Sequence, residues 1–129
     1  MAEPVPKPAR WPQLAFATLV AAWIAIMAVR SQVPPAVACD LTLRPDADTV
    51  VMLSASWCQY CRAARRFLYR EHIKYCEYDI ETSTEGRRRY RAQTTHVIPI
   101  LSLRDQVFIG FDESQITQAL IGYGLRGRQ

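Results

Sequence analysis

The sequence predicts an α/β domain, a four-stranded mixed sheet with flanking helices, preceded by one transmembrane helix. Three observations predict it. Apolar strand-length runs and amphipathic segments alternate from Val50 onward in the order β-α-β-α-β-β-α. Cys58-Gln59-Tyr60-Cys61 falls where the first strand passes into the first helix, and Trp11–Val29 is a block without a single charge. A βαβ unit joined through a helix to a hairpin and a last helix makes the sheet mixed and puts helices on both faces.

The chain has 129 residues, enough for one ordinary domain; beyond the apolar block about 90 residues read as a soluble fold. Residues 1–10, MAEPVPKPAR, are Pro-rich and are expected to form a disordered tail. Residues 11–29, WPQLAFATLVAAWIAIMAV, lie between Arg10 and Arg30. A helix of that length spans about 28 Å, close to the hydrocarbon thickness of a bilayer. Trp11 stands at its border, where aromatic side chains favour the interface, and no face of the segment is polar. Ala36-Val37-Ala38 has the small-x-small pattern of a signal-peptidase site. The apolar block is long for a signal peptide, however, and Arg30 with a polar stretch separates it from that site. The expectation is an uncleaved signal anchor, with secretion to the periplasm if cleavage does occur. Lys7 and Arg10 before the span outnumber Arg30 after it, which orients the N-terminus inward. The expected localisation is a single pass through a bacterial inner membrane with the folded domain in the periplasm.

Residues 30–49 form a linker rich in Pro, Ala and Asp, within which Leu41-Thr42-Leu43 is a candidate edge strand. Val50–Ser54 is continuously apolar, as a strand buried on both faces requires. From Arg62 to Glu71 the apolar positions Ala63, Ala64, Phe67 and Leu68 make a helical stripe with arginines outside it. Ile73–Ile80 is the second strand. Thr82-Ser83-Thr84-Glu85 is a capping box that starts a helix reaching about Ala92. Ile98–Leu103 is a strand with Pro99 at its start, and Arg104-Asp105 turns it into Gln106–Ile109. Gly110 ends that strand, Asp112 caps a last helix over Glu113–Ile121, and Gly122 and Gly124 stop it. The folded domain is therefore placed at residues 50–123.

The cysteine pair carries the chemistry. A strand that delivers C-x-x-C to the first turn of a helix puts a thiol among free N–H groups and partial positive charge, which favours the thiolate. Cys58 is expected to be the attacking thiol and Cys61, one turn in, the resolving one. Arg62 adds to the bias, and each unit of pKa lowering is worth about 1.4 kcal/mol.

These residues resemble the glutaredoxin branch of the thioredoxin superfamily over about Val50 to Leu120. The resemblance rests on Trp57-Cys58-Gln59-Tyr60-Cys61, on Val97-Ile98-Pro99 and on Ile109-Gly110-Phe111-Asp112. It implies a thioredoxin-like fold of glutaredoxin type, a cis bond before Pro99, and a backbone at Ile98 free to pair with a bound thiol. Trp57, Tyr60, Ile98, Pro99, Gly110 and Asp112 are by this resemblance the substrate-binding residues. The chain also departs from the family. Ser54-Ala55-Ser56 stands where glutathione binders place a Lys, Gly110-Phe111 replaces a Gly-Gly pair, and Gln59 replaces a Pro. Met52 occupies the position where thioredoxins bury an Asp. Glutathione is therefore an open co-substrate, and no tightly bound cofactor is implied.

Cys39 and Cys76 remain. Either they form a structural disulfide, which suits an oxidising compartment, or Cys76 is buried as a free thiol and Cys39 exposed. A zinc site lacks a second C-x-x-C, so no metal is expected. Arginine clusters at Arg62/Arg65/Arg66/Arg70 and Arg87-Arg88-Arg89/Arg91 are solvated helix faces or an electropositive rim toward thiolates and acidic partners. Without interleaved aromatic or groove-reading elements they do not indicate nucleic acid.

The function expected is a membrane-tethered thiol–disulfide oxidoreductase acting on a protein or low-molecular-weight disulfide. Two alternatives stand beside it: a non-catalytic thioredoxin-fold binding or assembly module, and a cytoplasm-facing glutathione-dependent disulfide reductase.

Overall fold

A computed structural model describes residues 11–30, 32–42 and 44–125, the side chains of residues 11–14 and 30 aside. It divides into two units, Met1–Gln32 and Val33–Gln129. In the first, α1 runs over Trp11–Arg30 and has almost no amphipathic bias. Phe16, Leu19, Trp23, Ile24 and Val29 stand exposed along it. Among the described residues no helix is long and apolar enough to cross a membrane. The expected helix is thus present, while the described residues do not meet the expected crossing. The predicted disordered tail, residues 1–10, lies outside the described residues.

The second unit is β1 (Val50–Ser54), α2 (Gln59–Arg70), β2 (Tyr75–Asp79), α3 (Thr84–Arg91), β3 (Ile100–Leu103), β4 (Gln106–Ile109) and α4 (Glu113–Gly122). The sheet order is β2-β1-β3-β4. β1 runs parallel to β2 and antiparallel to β3, and β3 is antiparallel to β4, so the predicted mixed sheet is formed.

Alternation along the strands builds two cores. Val50 and Met52 of β1 with Leu101 and Leu103 of β3 face Ala64, Phe67 and Leu68 of α2 and Ile116 and Leu120 of α4. On the opposite face Leu53, Cys76, Tyr78 and Ile100 pack with Cys39, and Tyr90 of α3 covers them. A strand with both faces covered has no room for the polar alternation of a half-exposed one, which is why β1 reads as an unbroken apolar run.

Three boundaries moved, each for a local reason. The helix predicted from Arg62 begins at Gln59, because Cys58 takes the cap position and its Sγ accepts the Cys61 N–H. α3 is capped by Ser83 rather than Thr82, since Asp79 Oδ1 accepts the N–H groups of Glu81 and Thr82 and turns the chain before the helix starts. Glu85 then bonds Arg88 and Arg89 instead of closing a capping box. The edge strand expected at 41–43 does not appear over Leu41 and Thr42, and Leu43 lies outside the described residues. Ala38 makes a parallel bridge to Glu77 in its place.

Candidate active site

Ser54 ends β1, and the loop behind it closes when the Cys58 N–H donates to the Ala55 carbonyl at 3.2 Å. Cys58 keeps an extended backbone, which is what a helix cap requires, and its Sγ receives the Cys61 N–H at 3.1 Å. The nucleophile expected from sequence is therefore also the first satisfied acceptor of α2. The two sulfurs are bonded, with Cα atoms 5.2 Å apart. Cys58 is 4% exposed and Cys61 0%, so the only approach to the pair is through Cys58.

A second loop meets the pair. The Ile98–Pro99 peptide is cis, and the Ile98 carbonyl oxygen lies 3.9 Å from Cys58 Sγ. Ala55, Cys58 and Cys61 pack with Ile80 and Ile98. Gly110 fixes the far side: its N–H donates to the Pro99 carbonyl at 2.8 Å, from a φ of 81° that suits glycine. Trp57, 62% exposed, and Tyr60 stand outward beside the cysteine pair. The structure thus brings Trp57, Cys58, Tyr60, Cys61, Ile98, Pro99 and Gly110 to one end of the sheet.

Asp112 is placed differently. Its Oδ1 accepts the N–H groups of Ser114 and Gln115 and the Ser114 hydroxyl, so it caps α4. The Ser114 hydroxyl, with those backbone N–H groups, holds its carboxyl below the usual range. Phe111, where the family has a second glycine, turns inward and meets the Phe67 ring at 5.8 Å. The His96 carbonyl accepts the Tyr90 hydroxyl, with the two rings edge to face.

Sequence reasoning missed a buried ion pair behind the cysteine loop. Glu77, in register with Met52 across β1 and β2, is enclosed. Arg65, one turn after Cys61, grips its carboxylate with Nε at 2.6 Å and another guanidinium nitrogen at 2.7 Å. The Ser54 hydroxyl donates to the same carboxylate at 2.8 Å. Its hydrogen bond with Glu77 raises the Arg65 pKa against the opposing effect of burial. The signal was an acid at the centre of β2, flanked by Cys76 and Tyr78.

Cys39 and Cys76 are bonded, their Cα atoms 4.8 Å apart. Residues 37–39 run beside β2: the Glu77 N–H donates to the Val37 carbonyl at 2.7 Å and the Cys39 N–H to the Glu77 carbonyl at 3.1 Å. Of the two readings left open, the structure takes the disulfide. Among the described residues no three His, Cys, Asp or Glu side chains converge to hold a metal ion.

Comparison with known proteins places this geometry. Residues 50–109 match the family model for Glutaredoxin. No curated protein sequence matches the chain. The structure is similar to the glutaredoxin-like NrdH-redoxin of Escherichia coli, described as having a thioredoxin-like activity profile. The TM-score is 0.50 and the identity 18% over 54% of this chain and 92% of that one. A glutaredoxin of Archaeoglobus fulgidus gives a TM-score of 0.47 and 20% identity over 54% of this chain and 82% of its own. The family match falls on the stretch that forms the four-stranded sheet and holds Cys58 and Cys61, so that stretch is similar to glutaredoxins in sequence, and the fold is similar to that of the glutaredoxin-like NrdH-redoxin.

Proposed function

We propose that this protein is a membrane-tethered thiol–disulfide oxidoreductase in which Cys58 attacks and Cys61 resolves. The observation that carries the assignment is the asymmetry of the pair: Cys58 caps α2 and retains an opening, while Cys61 has none. In the reducing direction the Cys58 thiolate attacks one sulfur of a substrate disulfide. That S–S bond breaks, a mixed disulfide forms, and the departing substrate thiolate takes up a proton. Cys61 then loses its proton and attacks Cys58 Sγ, releasing the second substrate thiol and closing the Cys58–Cys61 bond. Two electrons have passed to the substrate, and a dithiol donor or two molecules of glutathione return them. The reverse sequence oxidises a substrate.

The Cys61 N–H aimed at Cys58 Sγ and the N-terminus of α2 favour negative charge on the attacking sulfur. The open backbone at Ile98, beside the cis-proline, is suited to pair with the substrate chain. Met52 cannot accept the Cys61 proton, so solvent or the departing thiolate does.

Insulin reduction with the purified protein tests the assignment. Cys58→Ser should abolish turnover, and Cys61→Ser should accumulate mixed disulfides visible on non-reducing gels. Full dithiol turnover by Cys61→Ser would overturn the roles.

The tether rests on the sequence of α1: no charge falls over residues 11–29, a run of about 28 Å with almost no amphipathic bias, although the described part of the helix does not by itself meet the length and apolarity of a crossing. The Cys39–Cys76 bond suits an oxidising compartment and so favours a non-cytoplasmic domain. Carbonate extraction, with a C-terminal phosphatase or fluorescent-protein reporter, tests both points: release from the membrane, or a cytoplasmic reporter signal, would refute them.

A further inference from the structure

We infer that the outer face of α2 beside Cys58 is a docking strip for acidic polypeptide, so that the preferred substrate is a protein disulfide flanked by Asp or Glu. The inference rests on the exchange activity proposed above. α2 buries Cys61, Ala64, Phe67 and Leu68 against the sheet. That choice turns Arg62, Arg66 and Tyr69 to the opposite side, where residues three and four apart are neighbours. Arg62 is held in place: a guanidinium nitrogen donates to the Ser56 carbonyl at 3.2 Å, which fixes the charge over the loop carrying Cys58. Trp57 and Tyr60 stand exposed at the same end. Two cations one turn apart therefore lead along the helix away from the nucleophile.

Charge compensation separates this pair from the other arginines. Arg65 is matched by Glu77, Arg70 by Glu71 and Glu113, and Lys74 by Asp46. Arg88 and Arg89 share Glu85, and Arg104 has Asp48. Among the described residues no carboxylate forms an ion pair with Arg62 or Arg66. Arg44, Arg87 and Arg91 also lack one, but none of them lies on the element that carries the cysteine pair. Uncompensated charge beside a reactive group steers oppositely charged chains to it and fixes their register. An anionic lipid surface is the competing occupant. Seating it on this face would press Trp57, Tyr60 and the opening at Cys58 into headgroups and shut out the disulfide, so the placement favours a polypeptide.

The test uses the full-length protein in nanodiscs and three matched peptide disulfides whose flanking residues are acidic, neutral or basic. The wild type should turn over the acidic peptide about tenfold faster in kcat/KM than the basic one at low salt, the scale of two exposed ion pairs. The ratio should fall toward one as ionic strength rises. Arg62→Gln/Arg66→Gln should equalise the peptides, and Arg62→Glu/Arg66→Glu should reverse their order. Parity in the wild type, or a preference that survives charge reversal, would overturn the docking strip; because the salt series needs no variant, misfolding cannot mask that result. Parity together with an Arg62- and Arg66-dependent loss of turnover in phosphatidylserine nanodiscs would assign the strip to lipid and overturn it too. No turnover of any peptide by the wild type would instead refute exchange activity itself.

Discussion

Glu77 has its carboxylate under Arg65 and Ser54 and its backbone N–H and C=O turned to residues 37 and 39, so one residue joins β1, α2 and the incoming segment. A buried carboxylate that loses its cation keeps the desolvation cost without the attraction. Arg65→Ala should therefore destabilise the domain by about 3–5 kcal/mol in urea, whereas Arg65→Met with Glu77→Leu should cost far less. A single-variant loss below about 1 kcal/mol would mean that the pair is solvated. Glu85 makes a pH prediction. Arg88 and Arg89 lower its pKa from 4.5 to about 2. A depressed folded-state pKa stabilises above the unfolded value, so this contribution is complete above pH 4.5 and is lost as pH falls through about 2. Carboxyl NMR should find the low midpoint; one near 4.5 would place the carboxylate free in solution. The cysteine pair, Pro99 and Gly110 were legible because spacing and backbone specialisation are local properties. Glu77 was not, because its meaning depends on which strand and helix stand beside it.

Among the elements, α3 is the one set by a contact no propensity reveals. A Cβ on Gly86 would lie 2.2 Å from the Asp79 carbonyl oxygen, so the helix can sit this close to the end of β2 only with glycine there. Gly86→Ala should cost about 1–3 kcal/mol through overpacking. Gly122, in the last turn of α4, has nothing within 4 Å of the same added atom. Gly122→Ala should be stabilising by up to about 1 kcal/mol. Thermal denaturation of the two variants should move in opposite directions, and a Gly86→Ala protein as stable as its parent would place α3 farther from Asp79. Strand β1, the hairpin through Arg104-Asp105 and the Asp112 cap were readable from apolar runs and cap chemistry. The start of α2 was readable from the C-x-x-C spacing, which puts Cys58 at the helix N-terminus, but not from the apolar stripe, which begins only after Arg62. The start of α3 moved by one residue because Asp79 competes for the same N–H groups.

Over the whole molecule, the order of elements and the mixed sheet followed from the sequence, whereas the use of residues 37–39 did not. A lone bridge leaves no alternating pattern, and the sequence left the Cys39–Cys76 bond as one of two readings. The disulfide closes a loop of 37 residues, and losing it should cost about 3–4 kcal/mol by restoring freedom to the unfolded chain. Cys39→Ala with Cys76→Ala, unfolded in guanidinium beside the parent, measures that; equal midpoints would show that the bond does not restrain the unfolded chain. The same bridge has a consequence for how copies of the protein meet. At the centre of β2 the outward N–H and C=O of Glu77 are already taken, while β4 has a neighbour on one side only among the described residues. A sheet with two open edges can add strands without end, the route to fibres. With one edge stapled shut at its middle, any pairing through β4 would join two copies and leave no template for a third.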